Sequence, residues 1–213
     1  MTFKIKGQSF FNVILFLTIF ALCIAFVINF RPLYYFFVDH ENLAATVNLT
    51  REGLIEDYRH LLNYLNFPWI SSLKMTLPSS ANGLQHFADV KKLFLLDYGV
   101  LILGAPVSVY YLRRLKKQQM LWKLIAPAQI MLTGFVLLLV IMGISFQQFF
   151  VLFHKILFRN NDWIFDPTKD PIIDALPDDF FLACFVLFFV LFIISMLALI
   201  FVGKKSLKSE KKK

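Results

Sequence analysis

Four histidines occur in the chain, His40, His60, His86 and His154. Histidine titrates near physiological pH, so an imidazole can accept a proton at one step and donate one at another. His86 stands in LQHFADVKKLF, at the start of one apolar stretch, and His154 in VLFHKILFRNNDWIFDP, at the end of another. If one stretch enters a membrane and the other leaves it, both rings emerge at the same interface. A pair at matched depth suits proton transfer. His40 and His60 lack such a setting and read as surface residues.

The elements that must position this pair are membrane spans. Of 213 residues, 58% are hydrophobic and only 17% charged, with 26 phenylalanines. A soluble domain of this length carries more charge, so the composition implies an integral membrane protein. A span needs about 20 predominantly apolar residues. Four stretches qualify, near 10–30, 93–112, within 124–153, and 180–202. The third is longer than a bilayer is thick at about 1.5 Å per residue, so it is expected to tilt or extend into the interface. The first reads as a retained span, since its apolar run is too long for a signal core and no small-x-small site follows. Cys23 and Cys184 fall in apolar runs and match no metal or redox spacing.

The expected fold is mainly α, a four-helix transmembrane bundle with a small extracytoplasmic cap from two outer loops. The divisions are 1–30, the N-terminal segment and first span; 31–92, an outer cap loop; 93–123, the second span and a basic loop; 124–153, the third span; 154–179, the second outer loop; and 180–213, the fourth span and a basic tail. The N-terminus, the 113–123 loop and the tail hold 13 basic residues and one acid, Glu210. The other two loops hold 9 basic and 12 acidic residues. The positive-inside rule places both termini in the cytoplasm. The net charge of +8 then reflects topology and anionic lipid rather than nucleic acid.

In the first outer loop, Leu54, Tyr58, Leu61, Leu62 and Leu65 recur at helical spacing, with Asn48 or Thr50 as a cap. The stretch from Asn66 to Gly83 reads as loop or short strand. If the next helix starts near Gln85, then His86, Asp89, Val90, Leu93 and Asp97 form one stripe. Asp97 should face protein or water, most simply as a buried structural carboxylate. In the second outer loop, Trp163 and Phe165 read as interface anchors. Asp166-Pro167 and Asp170-Pro171 favour turns, and Asp178 or Asp179 can cap the last span.

HFADVKKLF (86–94), Tyr58 and the Tyr64-Leu65 pair, and FHKILFRNNDWIFDP…LPDDFF (153–181) resemble the lipoprotein intramolecular transacylase family, Lit. The two histidine blocks are the specific part of that resemblance; span number and loop order match along the whole chain. The resemblance implies a bacterial cell-membrane enzyme whose substrate is a diacylated lipoprotein. Such an enzyme moves the sn-2 acyl chain of the diacylglyceryl-cysteine onto the cysteine α-amine, which leaves an N-acylated lyso-form.

Aminolysis of an ester runs downhill, so no nucleotide or other cofactor is needed, and no phosphate-binding fingerprint occurs. Donor and acceptor share one molecule, so proximity supplies much of the rate. The α-amine, with a pKa of about 8, needs a base, and the departing glyceryl oxygen needs an acid. His86 and His154 are the expected catalytic pair, with base and acid unassigned. Asp89 or Asp166 would orient an imidazole, and Lys91, Lys155 or backbone amides would stabilise the oxyanion. Tyr58 is a further candidate proton carrier, apolar packing suiting it equally well, and Trp163 is a further supporting residue. Two rivals remain open on the residues alone. One is a metal-dependent membrane hydrolase built on the two histidines and outer aspartates, against which no paired-histidine helix motif occurs. The other is a non-catalytic docking protein. Oligomeric state is not legible.

Overall fold

The computed structural model describes residues 7–210, so Lys4, Lys6, Lys211, Lys212 and Lys213 of the charge map lie outside the described residues. No strand occurs among the described residues. The helices are α1 (Gln8–Asn29), α2 (Arg31–His40), α3 (Leu43–Thr46), α4 (Arg51–Asn66), α5 (Ala81–Lys117), α6 (Ile125–Ile144), α7 (Phe146–Leu157) and α8 (Asp178–Glu210). Short 3-10 turns occupy Leu121–Leu124 and Pro171–Ile173. Four helical segments are long and apolar enough to cross a membrane: Gln8–Asn29, Ala81–Lys117, Leu121–Ile144 and Asp178–Lys208. Large apolar residues such as Ile102, Leu103, Ile130 and Phe201 stay exposed along them. A hydrocarbon solvent tolerates that exposure and water does not.

The third apolar run differs from the expectation of one long helix. It divides at Ser145, whose extended backbone (φ −156°, ψ 97°) ends α6 and begins α7. The Ser145 hydroxyl accepts the Gln148 N–H at 3.4 Å and caps α7. A serine supplies the acceptor that a fresh helix start requires, and the apolar run around it hides that signal.

The chain forms two compact units. One comprises the described parts of 1–25, 98–143 and 186–213. Its core packs Phe16, Cys23, Ala128, Phe192, Met196 and Ile200, with a second cluster of Leu15, Tyr111, Leu115 and Leu124. Its polar contacts are paired: Ser108 Oγ donates to Thr18 Oγ1 at 3.0 Å, and Thr18 Oγ1 to the Ile14 carbonyl at 2.7 Å. Gly104 has no side chain because a methyl there would overlap Thr18 Oγ1.

The other unit comprises Phe26–Asp97 and Ile144–Phe185 and contains both histidines of interest. Its core joins α2 (Tyr34, Phe37), α4 (Leu54, Tyr58, Leu61, Leu62, Leu65), Phe87 of α5, Ile172 and Phe180. The helix expected at 51–66 is α4, and Thr50 caps it by accepting the Gly53 N–H at 3.1 Å. Asn48 instead takes a left-handed turn conformation at φ 56°. The α2 and α3 helices had no clear periodic signal in the sequence. Two buried carboxylates hold the irregular chain. Asp57 accepts the Thr76 N–H at 2.7 Å and the Leu77 N–H at 2.8 Å. Asp170 accepts the Ser80 N–H at 2.7 Å, beside the start of α5. Gly83 lies against that carboxylate, where a methyl would overlap Asp170 Oδ1. Asp178 and Asp179 sit inside the first turn of α8 rather than before it, where the helix dipole favours their charge.

Removing the Asp57 carboxylate leaves two N–H groups without their acceptor, each worth about 1–3 kcal/mol when buried. Asp57→Ala should therefore lower the unfolding temperature in detergent by several degrees; an unchanged temperature would show that the clamp adds nothing.

Candidate active site

His86 and His154 meet. Their ring centroids are 5.9 Å apart at an interplanar angle of 38°. Each residue is only 8% exposed. The contact joins two elements with separate local causes. The start of α5 is set by Ser80, whose Oγ accepts the Gly83 N–H at 3.0 Å and whose carbonyl accepts from Leu84 at 3.0 Å. His86 follows within the second turn. His154 lies in the last turn of α7, and its carbonyl accepts the Phe158 N–H at 2.8 Å as the chain turns extended.

Aromatic rings enclose the pair. Phe158 meets His86 edge-on at 4.9 Å and His154 at 5.7 Å; Phe165 meets His86 at 5.5 Å. Phe150 lies 4.2 Å from His154, and Trp163 stacks on it at 4.9 Å and 29°. These aromatic neighbours account for the burial of both imidazoles.

The hydrogen bonds define the tautomer of one imidazole. His154 Nδ1 lies 2.8 Å from the Phe150 carbonyl. A carbonyl only accepts, so Nδ1 carries the proton. In the neutral ring Nε2 then holds a lone pair and is the basic atom. Burial pushes the His154 pKa below its ordinary value, with the Phe150 carbonyl opposing in part. Burial thus favours the neutral form of the ring. His86 Nδ1 is buried without a hydrogen-bond partner among the described residues. A buried polar atom without a partner is costly in a fold and recurs at functional sites.

Of the other residues expected at the site, Asp89 and Trp163 are close to the pair. Asp89 follows His86 by one turn, but its carboxylate accepts from Lys92 Nζ (2.8 Å), Asn160 Nδ2 (3.0 Å) and Gln85 Nε2 (3.3 Å). The group that orients His154 is a carbonyl rather than either aspartate. Asp166 is exposed, accepts the Thr168 N–H at 3.1 Å and its hydroxyl at 2.7 Å, and pairs with Lys169 at 3.3 Å. These partners hold its pKa below the usual carboxylate range. The Lys91 ammonium bonds the Ile70 carbonyl and lies 4.3 Å over the Tyr64 ring. Lys155 is exposed. Tyr58 is buried, stacked on Tyr34 at 3.7 Å, and burial pushes its hydroxyl further from ionisation. Tyr58 also meets the Phe180 ring edge-on at 6.4 Å. Asp97 is half-buried with Oδ2 enclosed, in keeping with a carboxylate that faces protein.

Asn160, Phe150 and Phe158 carried no sequence signal for the site: Asn160 looks like an ordinary turn residue, and Phe150 contributes a backbone atom. Among the described residues no group of three histidine, cysteine or acidic side chains is arranged to hold a metal ion.

A sequence model of the family described as lipoprotein intramolecular transacylase Lit matches residues 9–181. The structure of the membrane integral lipoprotein intramolecular transacylase Lit from Bacillus cereus is similar at a TM-score of 0.89 and 27% identity, covering 99% of this chain and 100% of that one. Two structures of the Bacillus cereus protein with a single histidine replaced, by arginine or by alanine, are similar at TM-scores of 0.79 and 0.80. They are 28% and 29% identical to this chain and cover 97% and 95% of it, and 95% and 93% of themselves. Among curated proteins, none matches the chain. Four membrane-length helices and a buried pair of imidazoles, together with these likenesses, define a multi-pass membrane enzyme, an acyltransferase. The chain belongs to the lipoprotein intramolecular transacylase family, Lit.

With Asp166 committed to its own turn, Asp166→Asn should change the rate of acyl transfer by less than about twofold, since surface changes away from a site are mild. A loss of tenfold or more in a lipopeptide assay would return Asp166 to the site.

Proposed function

We propose that the protein transfers the sn-2 acyl chain of a diacylglyceryl-cysteine lipoprotein to the α-amine of the same cysteine, with His86 and His154 as the proton carriers. The observation that supports this reading is the contact of two buried imidazoles, one of which presents a defined basic Nε2.

The proton balance suits the pair. The substrate amine arrives largely as an ammonium at neutral pH. Its first proton goes to solvent, because burial and the neighbouring His154 pull the His86 pKa down to about 4. The free amine attacks the ester carbonyl, the nitrogen–carbon bond forms, and His154 Nε2 takes the second proton. The carbon–oxygen bond then breaks as that proton passes through His86 to the glyceryl oxygen. The products are an amide and an alcohol, and the one proton released is the one lost to solvent. Both reacting groups belong to one molecule, so the site has only to hold them close. No side-chain nucleophile takes part, and burial raises the thiol pKa of a cysteine, which disfavours a thiolate in such surroundings.

The excess of basic residues at both termini and in the 113–123 loop supports an orientation with both termini in the cytoplasm and the site at the outer face. There a lipoprotein head group meets the imidazoles while its chains stay in the lipid. Exposed phenylalanine, leucine and isoleucine along the spans suit contact with acyl chains.

His86→Ala and His154→Ala should each lower transfer by about 10²-fold or more, the usual worth of acid–base catalysis. The double variant should be little worse than either single one, because the residues act as a unit. Mass spectrometry of the N-terminal lipopeptide reads the outcome: unchanged total mass with one chain moved to nitrogen. Release of free fatty acid, or full transfer by either variant, would contradict the proposal. Nitrogen-15 NMR of labelled histidine should show His154 as the Nδ1–H tautomer, titrating below about 6.5. Its base form therefore persists as pH falls to the ordinary imidazole value and is lost only in more acid solution. A midpoint at or above that value would remove the neutral base.

A further inference from the structure

Asn160 lies in the turn after α7, and three of its polar atoms are engaged. Its Nδ2 donates to Asp89 Oδ2 at 3.0 Å, its Oδ1 accepts the Asp162 N–H at 3.2 Å, and its main-chain carbonyl accepts Trp163 Nε1–H at 3.1 Å. Asp89 sits one turn beyond His86 on α5, and Trp163 stacks on His154. One residue is thus bonded on one side to the helix that carries His86 and on the other to the ring that covers His154. Asp89 has two other donors, Gln85 and Lys92, but both belong to α5; Asn160 is its donor from a separate element.

We propose that Asn160 is a positioning residue for acyl transfer: by joining Asp89 to the Trp163 turn it fixes the separation and tilt of the His86 and His154 rings. The inference rests on the reading of those histidines as the proton carriers. A carboxamide offers a donor for the carboxylate and, on a separate atom, an acceptor for the backbone N–H. An aspartate would keep the acceptor but set a second carboxylate against Asp89, and a leucine would keep the volume and lose both bonds. Displacement by about 1 Å is enough to slow a reaction up to 10²-fold where reacting groups must be aligned.

The test uses the full-length protein in bilayers with a synthetic diacylglyceryl-cysteine peptide. Asn160→Leu and Asn160→Asp should lower kcat at least tenfold with KM nearly unchanged, the mark of alignment lost after binding. The paired change Asp89→Asn with Asn160→Asp reverses donor and acceptor and should restore kcat to within a few-fold of the starting protein. Trp163 reports the geometry directly once Trp69 and Trp122 are phenylalanine. Asn160→Leu should raise its emission and its quenching by acrylamide, and the paired change should reverse both. Wild-type kcat in Asn160→Leu, a paired variant no better than the single ones, or unchanged Trp163 emission would overturn the proposal. If the two histidine-to-alanine variants are inactive while Asn160→Leu is fully active, the positioning role alone falls. If those histidine variants stay active, the assignment of proton carriers falls, and the emission of Trp163 still decides whether Asn160 holds the turn.

Discussion

The hydrogen bond from His154 Nδ1 to the Phe150 carbonyl is the interaction on which the site depends. It settles which nitrogen holds the proton and which holds the lone pair. It also ties the ring to the backbone of its own helix, so the basic atom is aimed by α7 rather than by a mobile carboxylate. A carboxylate in that place would favour the imidazolium, and a charged ring is the wrong starting state for a base. A neutral carbonyl orients the ring with less bias toward charge. The surrounding phenylalanine and tryptophan rings reinforce that choice, because desolvation penalises the charged form.

The same economy runs through the unit that carries the site. Its irregular chain is held by carboxylates that accept backbone N–H groups, Asp57 on Thr76 and Leu77, and Asp170 on Ser80. Asp170 reaches the start of α5 because Gly83, three residues before His86, leaves room for its carboxylate. Fixing the first turn of α5 fixes the direction in which His86 points. Buried carboxylates here serve geometry, and the imidazoles are left as the groups proposed for proton transfer.

Much of this was legible in the sequence. The spans follow from apolar length, α4 from its leucine spacing and Thr50, and the histidine pair from one helix entering where another leaves. What stayed hidden has physical reasons. The break at Ser145 sits in a run whose apolar character continues on both sides, so only the cap chemistry of one serine marks it. Asp57 and Asp170 bind backbone far away in the chain, and no local spacing announces such a bond. The orienting group for His154 is a main-chain carbonyl, which any residue type could have supplied at Phe150. Asp166, Lys91 and Tyr58 have the right chemistry for supporting roles, but local partners claim them: Thr168 and Lys169, Ile70 and Tyr64, and Tyr34.

The claim that matters most is that one lipid head group sits between the two imidazoles during transfer. A structure of the protein with a diacylglyceryl-cysteine peptide whose sn-2 ester is replaced by a non-transferable ether tests it directly. The account predicts the peptide α-nitrogen within hydrogen-bond distance of His154 Nε2 and the sn-2 oxygen facing His86. A head group bound elsewhere, with both imidazoles still enclosed by their aromatic neighbours, would contradict it.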